Sequence, residues 1–294
     1  MEAKEFGEKM RRAVAEVLGK DYQVSLQEVR KNNGVMLLGL IILVKGQNVS
    51  PTIYLKPFLT AYEEGVSLSE LVRNLLEIYR NDKMQKRMDL SFFRDFSRVR
   101  DKICYRLINA EKNRELLNKI PHVPFLDLAI CFYYAYEDNN IGSGSILIYN
   151  THMEMWQTNT AELMWLAQNN TPVLLPWQCE SMEKLMMSRM PETGWECSPV
   201  TYMDVVTNKS KMHGAACVLY PGVLKQLGNR YGSDYYIIPS SLHEVILLPC
   251  CNSIDPVELK QLIMEVNRFQ LEPEDILSDN LYYFNRKDEK VKIF

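Results

Sequence analysis

Gly214-Ala215-Ala216-Cys217-Val218-Leu219-Tyr220 opens the stretch that decides the fold, which runs from Gly214 to Pro249. Ala215 to Tyr220 is an apolar run, and Pro221-Gly222 breaks it. Val223 to Tyr231 reads as a short helix ending near Gly232. Tyr235-Tyr236-Ile237-Ile238 is a second apolar run, Pro239-Ser240-Ser241 interrupts, and Leu242-His243-Glu244-Val245-Ile246-Leu247-Leu248 is a third. Short apolar runs bounded by Gly and Pro read as strands. The order is therefore strand, turn, helix, strand, strand. This is the densest apolar part of the C-terminal half, and it holds the Ser/His/Glu cluster of the chain.

Upstream, residues 4–18 carry Phe6, Met10, Val14, Val17 and Leu18 at three- and four-residue spacings, the mark of an amphipathic helix. Tyr22 to Val29 alternates, Asn32-Asn33-Gly34 signals a two-residue hairpin turn, and Val35 to Val44 is the return strand. That strand is apolar on both faces, so it is expected at the centre of a sheet. Thr52 to Leu55 is a third strand, with Pro51 at its entrance. Ser67-Leu68-Ser69-Glu70 is a capping box ahead of a helix whose stripe is Leu68, Leu71, Val72, Leu75, Leu76 and Tyr79.

Phe92, Phe93, Phe96 and Val99 mark one further helix, and Tyr105 to Ile108 fits either strand or helix. Pro121 and Pro124 place a domain boundary nearby. Leu126 to Tyr136 and Ser145 to Asn150 form a hairpin around a Gly-rich loop, and Asn159 caps a helix through about Gln168. Residues 171–200 read as irregular. Tyr202 to Thr207 and Ala215 to Tyr220 read as a hairpin. Asp255-Pro256 starts a helix, and Leu281 to Phe284 and Val291 to Phe294 close the chain as strands. The expected class is α+β. A helix–β-meander–helix unit with a helical connector (1–119) precedes a larger, mostly antiparallel sheet with helices packed on it (120–294).

A chain of 294 residues with 47% hydrophobic residues can bury a sizeable core, and its net charge of −3 argues against a nucleic-acid reader. Seven cysteines, an odd number with no Cys-x-x-Cys, suit a reducing compartment. The charged start has no apolar signal region, and no apolar run reaches the roughly 18–20 residues of a membrane helix. A cytoplasmic location is expected, with no membrane and no nucleic-acid partner.

Ser240, Ser241, His243 and Glu244 are the sharpest candidates for chemistry, because a nucleophilic serine needs a histidine base and an acid to orient it. On a strand, His243 and Glu244 point to opposite faces, whereas Ser241 and His243 share one. No Gly-x-Ser-x-Gly elbow accompanies them. The plainer reading is a turn beside a half-buried histidine. The four histidines are far apart, Cys250-Cys251 are adjacent, and His213 with Cys217 is the one pairing a hairpin could bring together; no metal and no cofactor are expected. Gly142-Ser143-Gly144 leads into a strand, so it lacks the helix N-terminus of a phosphate loop. Methionines 153, 155, 164, 182, 186, 187 and 190 gather with Trp156, Trp165, Trp177 and Trp195, as core filler or as an adaptable binding surface.

Asn32-Asn33-Gly34-Val35 with Pro51 to Leu55, Thr207-Asn208-Lys209 with Gly214 to Gly222, Ile238 to Val245, Glu265 to Arg268, Leu277-Ser278-Asp279 and Tyr282-Tyr283 stand together in one chain. In these the chain resembles an uncharacterised protein family common in gut clostridia and catalogued as a domain of unknown function. Pro239-Ser240-Ser241-Leu242-His243-Glu244 is the most specific part. The resemblance implies a bacterial source and no mechanism, and it implies a more polar strand end than Cys250-Cys251.

The leading functional expectation is a non-enzymatic binding or protein-interaction protein, with Trp156, Trp165, Trp177, Met186 and Tyr235 as binding candidates. Its partner is an unidentified protein or small molecule. One alternative is a hydrolase using Ser241 or Ser240 with His243. Another is a small-molecule sensor with a pocket lined by Tyr133, Tyr134, Tyr136, Tyr235 and Tyr236.

Overall fold

The computed structural model describes residues 2–47, 50–81, 91–138, 142–189, 203–250 and 255–294. Two compact units divide the chain: Met1–Phe93 with Tyr136–Gly144, and Arg94–Ala135 with Ser145–Phe294. Residues 94–119, assigned above to the N-terminal domain, thus cluster with the second unit.

The first unit runs α1 (Ala3–Leu18), β1 (Tyr22–Arg30), β2 (Met36–Val44), β3 (Thr52–Tyr54), α2 (Lys56–Glu63) and α3 (Leu68–Asn81). The strands form an antiparallel sheet with β2 central, in register from Tyr22 opposite Val44 to Arg30 opposite Met36. Asn33 (φ 58°) and Gly34 (φ 71°) supply the left-handed backbone that the turn requires. The turn is longer than the two-residue form, because the ladder stops at Arg30 and Met36. Phe6, Met10 and Val14 on α1 meet Leu40 and Ile42 of β2 and Leu71, Leu75 and Leu76 of α3 in one core. Gly7 lets α1 lie close on the sheet, since a Cβ there would stand 2.6 Å from Leu38 Cδ2. Leu75→Ala is expected to cost about 3 kcal/mol in urea unfolding, the range for a wholly buried leucine.

From Arg94 onward the chain runs α4 (Phe96–Val99), β4 (Ile103–Asn109), α5 (Arg114–Leu117), β5 (His122–Phe125), β6 (Leu128–Asp138), β7 (Gly142–Leu147), α6 (Asn150–Trp156) and α7 (Thr160–Leu174). It continues β8 (Trp177–Ser181), α8 (Met182–Arg189), β9 (Asp204–Asn208), α9 (Val223–Tyr231), β10 (Tyr235–Ile238), β11 (Val245–Pro249), α10 (Pro256–Phe269), β12 (Tyr282–Asn285) and β13 (Lys290–Ile293). The C-terminal sheet expected as one is two among the described residues. One has the order β13-β12-β10-β11-β9-β8, and the other the order β4-β6-β5 with β7 on β6. The α+β class is as expected.

Four local readings change. Ala215 to Tyr220 is not a strand: Gly214–Leu219 is a 3-10 helix, and β9 pairs with β11 and β8 instead. An apolar run reports burial, and Ala215, Ala216 and Cys217 are buried, but burial does not set the backbone period. β11 begins only at Val245, because the Ser241 Oγ accepts the His243 N–H (3.0 Å) and curls the chain. Residues 171–200 are not wholly irregular: α7 continues through Pro172 to Leu174, and β8 and α8 follow. One tertiary bond holds that last turn, since the Thr171 hydroxyl accepts from the Tyr105 N–H of β4 while donating to the Ala167 carbonyl one turn back in the helix. The Phe92 to Val99 helix is split in two, with the Asp95 carboxylate capping α4 through the Ser97 N–H.

Candidate functional site

Ser240, Ser241, His243 and Glu244 all lie in the turn between β10 and β11. The turn is tied down from three sides. The Leu242 N–H donates to the Asp275 carbonyl (2.9 Å), the Leu242 carbonyl accepts from the Ala215 N–H (3.3 Å), and the His243 carbonyl accepts from the Thr207 hydroxyl (2.7 Å). Within it, the Ser241 N–H donates to the Glu244 carbonyl at 3.2 Å.

The His243 ring is engaged at both nitrogens. Nδ1 accepts the His213 backbone N–H at 3.2 Å, and Nε2 lies 3.5 Å from Asp275 Oδ1. An accepting Nδ1 leaves the proton of a neutral ring on Nε2, the nitrogen beside Asp275. The carboxylate that stands beside this histidine is therefore Asp275, not Glu244. No sequence spacing links them, because the 242–275 backbone bond brings them together. Ser241 Oγ meets the backbone of His243 rather than its ring. The expectation that Ser241 and His243 share a strand face fails for the same reason: neither is on a strand.

Behind His243 lies a polar line that sequence reading missed. Arg106 on β4 faces Cys131 on β6, which in turn faces His122 on β5; Cys104 faces Tyr133 in the next row. Directly opposite residues share a sheet face. Arg106 Nη1 stands 3.5 Å from His213 Nε2. Arginine has donors only, so His213 Nε2 must accept and His213 carries its proton on Nδ1. The His213 ring stacks on His243 at 5.9 Å and meets Tyr133 edge-on at 5.5 Å. His213 itself takes the left-handed backbone (φ 55°) that turns the chain into the 3-10 helix. His213 and Cys217 thus lie at the start of and within one 3-10 helix rather than across a hairpin. An arginine in a strand alternating with Cys104 and Ile108 was the available signal, since charged residues are seldom buried without a partner.

Burial, then the Arg106 charge, then His243, drive the His213 pKa down to about 3. Burial lowers Arg106 as well, while it pushes the Cys131 thiol up to about 12 against the pull of Arg106. The sign for stability follows. Between pH 6.5 and 3 the unfolded chain binds a proton at His213 that the folded chain does not, so stability falls as pH drops through that window. At pH 5 the loss from this residue is expected to be about 2 kcal/mol relative to pH 7. His213→Asn should flatten the pH dependence of urea midpoints by that amount; an unchanged slope would show that His213 is not the proton-linked group.

The aromatic candidates disperse. Trp156 is buried against Phe96, and Tyr235 is wholly buried, with its hydroxyl donating to the Leu224 carbonyl. These two are core, not binding surface. Trp177 is half-buried on β8. Trp165 is 61% exposed on α7, with Val173 exposed two turns on. The Met186 side chain lies outside the described residues, as do Met187, Met190, Trp195 and Cys251. Tyr133 and Tyr134 alternate across β6 and Tyr235 and Tyr236 across β10 of the other sheet, while Tyr136 clusters with the first unit. Among the described residues, no cluster of three or more His, Cys, Asp or Glu could hold a metal ion.

One family model, described as a family of unknown function (DUF5688), matches residues 3–286. No curated protein and no solved structure matches the chain.

Proposed function

We propose that this chain, which belongs to the DUF5688 family of unknown function, is a binding protein that does no chemistry on its ligand. The observation that carries the reading is the engagement of His243. Its Nδ1 takes a backbone N–H and its Nε2 faces Asp275, so neither nitrogen is placed to draw a proton from a serine hydroxyl. A general base must reach the proton it removes, and Ser241 Oγ is instead an acceptor for a backbone N–H. The exposed Trp165 supports a recognition role, since exposed tryptophan is enriched where partners dock. Buried thiols at Cys104, Cys131 and Cys217, none in a disulfide, support a reducing, cytoplasmic setting.

A fluorophosphonate probe tests the reading. It is expected to leave Ser240 and Ser241 unlabelled in intact-mass and peptide spectra. Labelling of either serine that disappears in His243→Ala would establish the hydrolase alternative in its place.

A further inference from the structure

Arg106 and His213 each bury an N–H that meets no acceptor: Arg106 Nε–H and His213 Nδ1–H. The second follows from the tautomer, since His213 Nε2 must accept from Arg106. Orphaned buried donors are rare, because each forfeits the hydrogen bond it made to water. Arg106 adds a charge to that cost. Buried cations are normally paired with carboxylates. No ion pair among the described residues includes Arg106, whose charge acts on Cys131, Tyr133 and Tyr149 and whose guanidinium meets His213. Asp275 is the carboxylate at the far end of the line, and the His243 ring stands between it and His213. What the cluster lacks is a negative group with acceptor oxygens.

We propose that Arg106 anchors a binding site for a small oxyanion, a carboxylate or a phosphate group, that accepts from the Arg106 Nε–H. The proposal rests on the binding reading above and names its ligand chemistry. A planar guanidinium with five donors matches both oxyanions in two-point contact. His243, which stacks on His213, has a side chain that is 38% exposed.

The test is the thermal unfolding of the full chain at constant ionic strength in chloride, inorganic phosphate or acetate. A saturable rise in Tm is expected with phosphate or acetate over chloride, roughly 5 °C at a ligand concentration about 100-fold above Kd. A rise with phosphate alone assigns a phosphoryl ligand, and a rise with acetate alone a carboxylate. Arg106→Met keeps the length of the side chain without its charge. It should abolish the rise and melt no lower than wild type in chloride, because it removes an unpaired buried ion. Arg106→Lys keeps the charge but loses the fork, and its affinity should fall about 10-fold or more. It carries the comparison should Arg106→Met fail to fold. The absence of a saturable rise in wild type overturns the proposal, as does a rise that survives unchanged in either variant. The serine-probe result does not enter this titration, so the two readings can fail separately.

Discussion

Gly214→Ala is expected to destabilise the chain by about 3 kcal/mol or more, the upper end for forcing a methyl group into a packed site. A Cβ at Gly214 would overlap Thr207 Oγ1 and the His243 carbonyl oxygen, and would lie 2.9 Å from Asn208 N. Two of these three neighbours are backbone. The Thr207 hydroxyl and the His243 carbonyl are also bonded to each other, so neither can withdraw without breaking a partly buried hydrogen bond. The turn that presents His243 would have to move away from β9. The expected result is a lower urea midpoint with an unchanged m-value. A loss below about 1 kcal/mol would mean that the packing between 207, 214 and 243 relaxes freely. The same variant should weaken whatever the Arg106–His213 site binds, because His213 is the preceding residue and its backbone N–H holds the His243 ring.

Asp127→Ala is expected to cost about 4 kcal/mol. Leu126 and Asp127 make the turn between β5 and β6, with Leu126 in the left-handed region at φ 55°. The Asp127 carboxylate accepts from three side chains near the C-terminus: the Ser278 hydroxyl (2.6 Å), the Asn280 amide (3.1 Å) and the Tyr282 hydroxyl (2.7 Å). Ser278 and Tyr282 are buried, so removing the carboxylate strands their hydroxyls away from water. Bonds to a charged acceptor contribute roughly 1.5–3 kcal/mol each, and three on one residue do not add fully. The neighbouring bonds, Asn109 to the Leu277 carbonyl and Asn267 to the Ser278 carbonyl, keep the segment partly anchored. Asp127→Asn keeps one acceptor oxygen but turns an amide donor toward the remaining donors, so about half the loss is expected. Urea unfolding with both variants checks this, and equal stability of Asp127→Ala and wild type would sink it.

The readings that held and those that failed separate by range. In the first unit, Phe6, Met10 and Val14 announce α1, Asn33-Gly34 announces the turn, and Leu71, Leu75 and Leu76 announce the inner face of α3. Each is a local pattern whose period matches the backbone it adopts. Ala215 to Tyr220 carried only burial, which a strand and a 3-10 turn provide equally.

By itself, the sequence determined the α+β class, the β-meander with its covering helices α1 and α3, and the starts of helices with clear caps such as Asn159 and Asp255. All of these depend on residues within a few positions of one another. Tertiary structure alone decided that the C-terminal strands form two sheets, that Asp275 rather than Glu244 faces His243, and that Arg106 meets His213 from 107 positions away. Ion pairs and buried hydrogen bonds act over a few ångströms in space and have no period along the chain, so no local pattern records them.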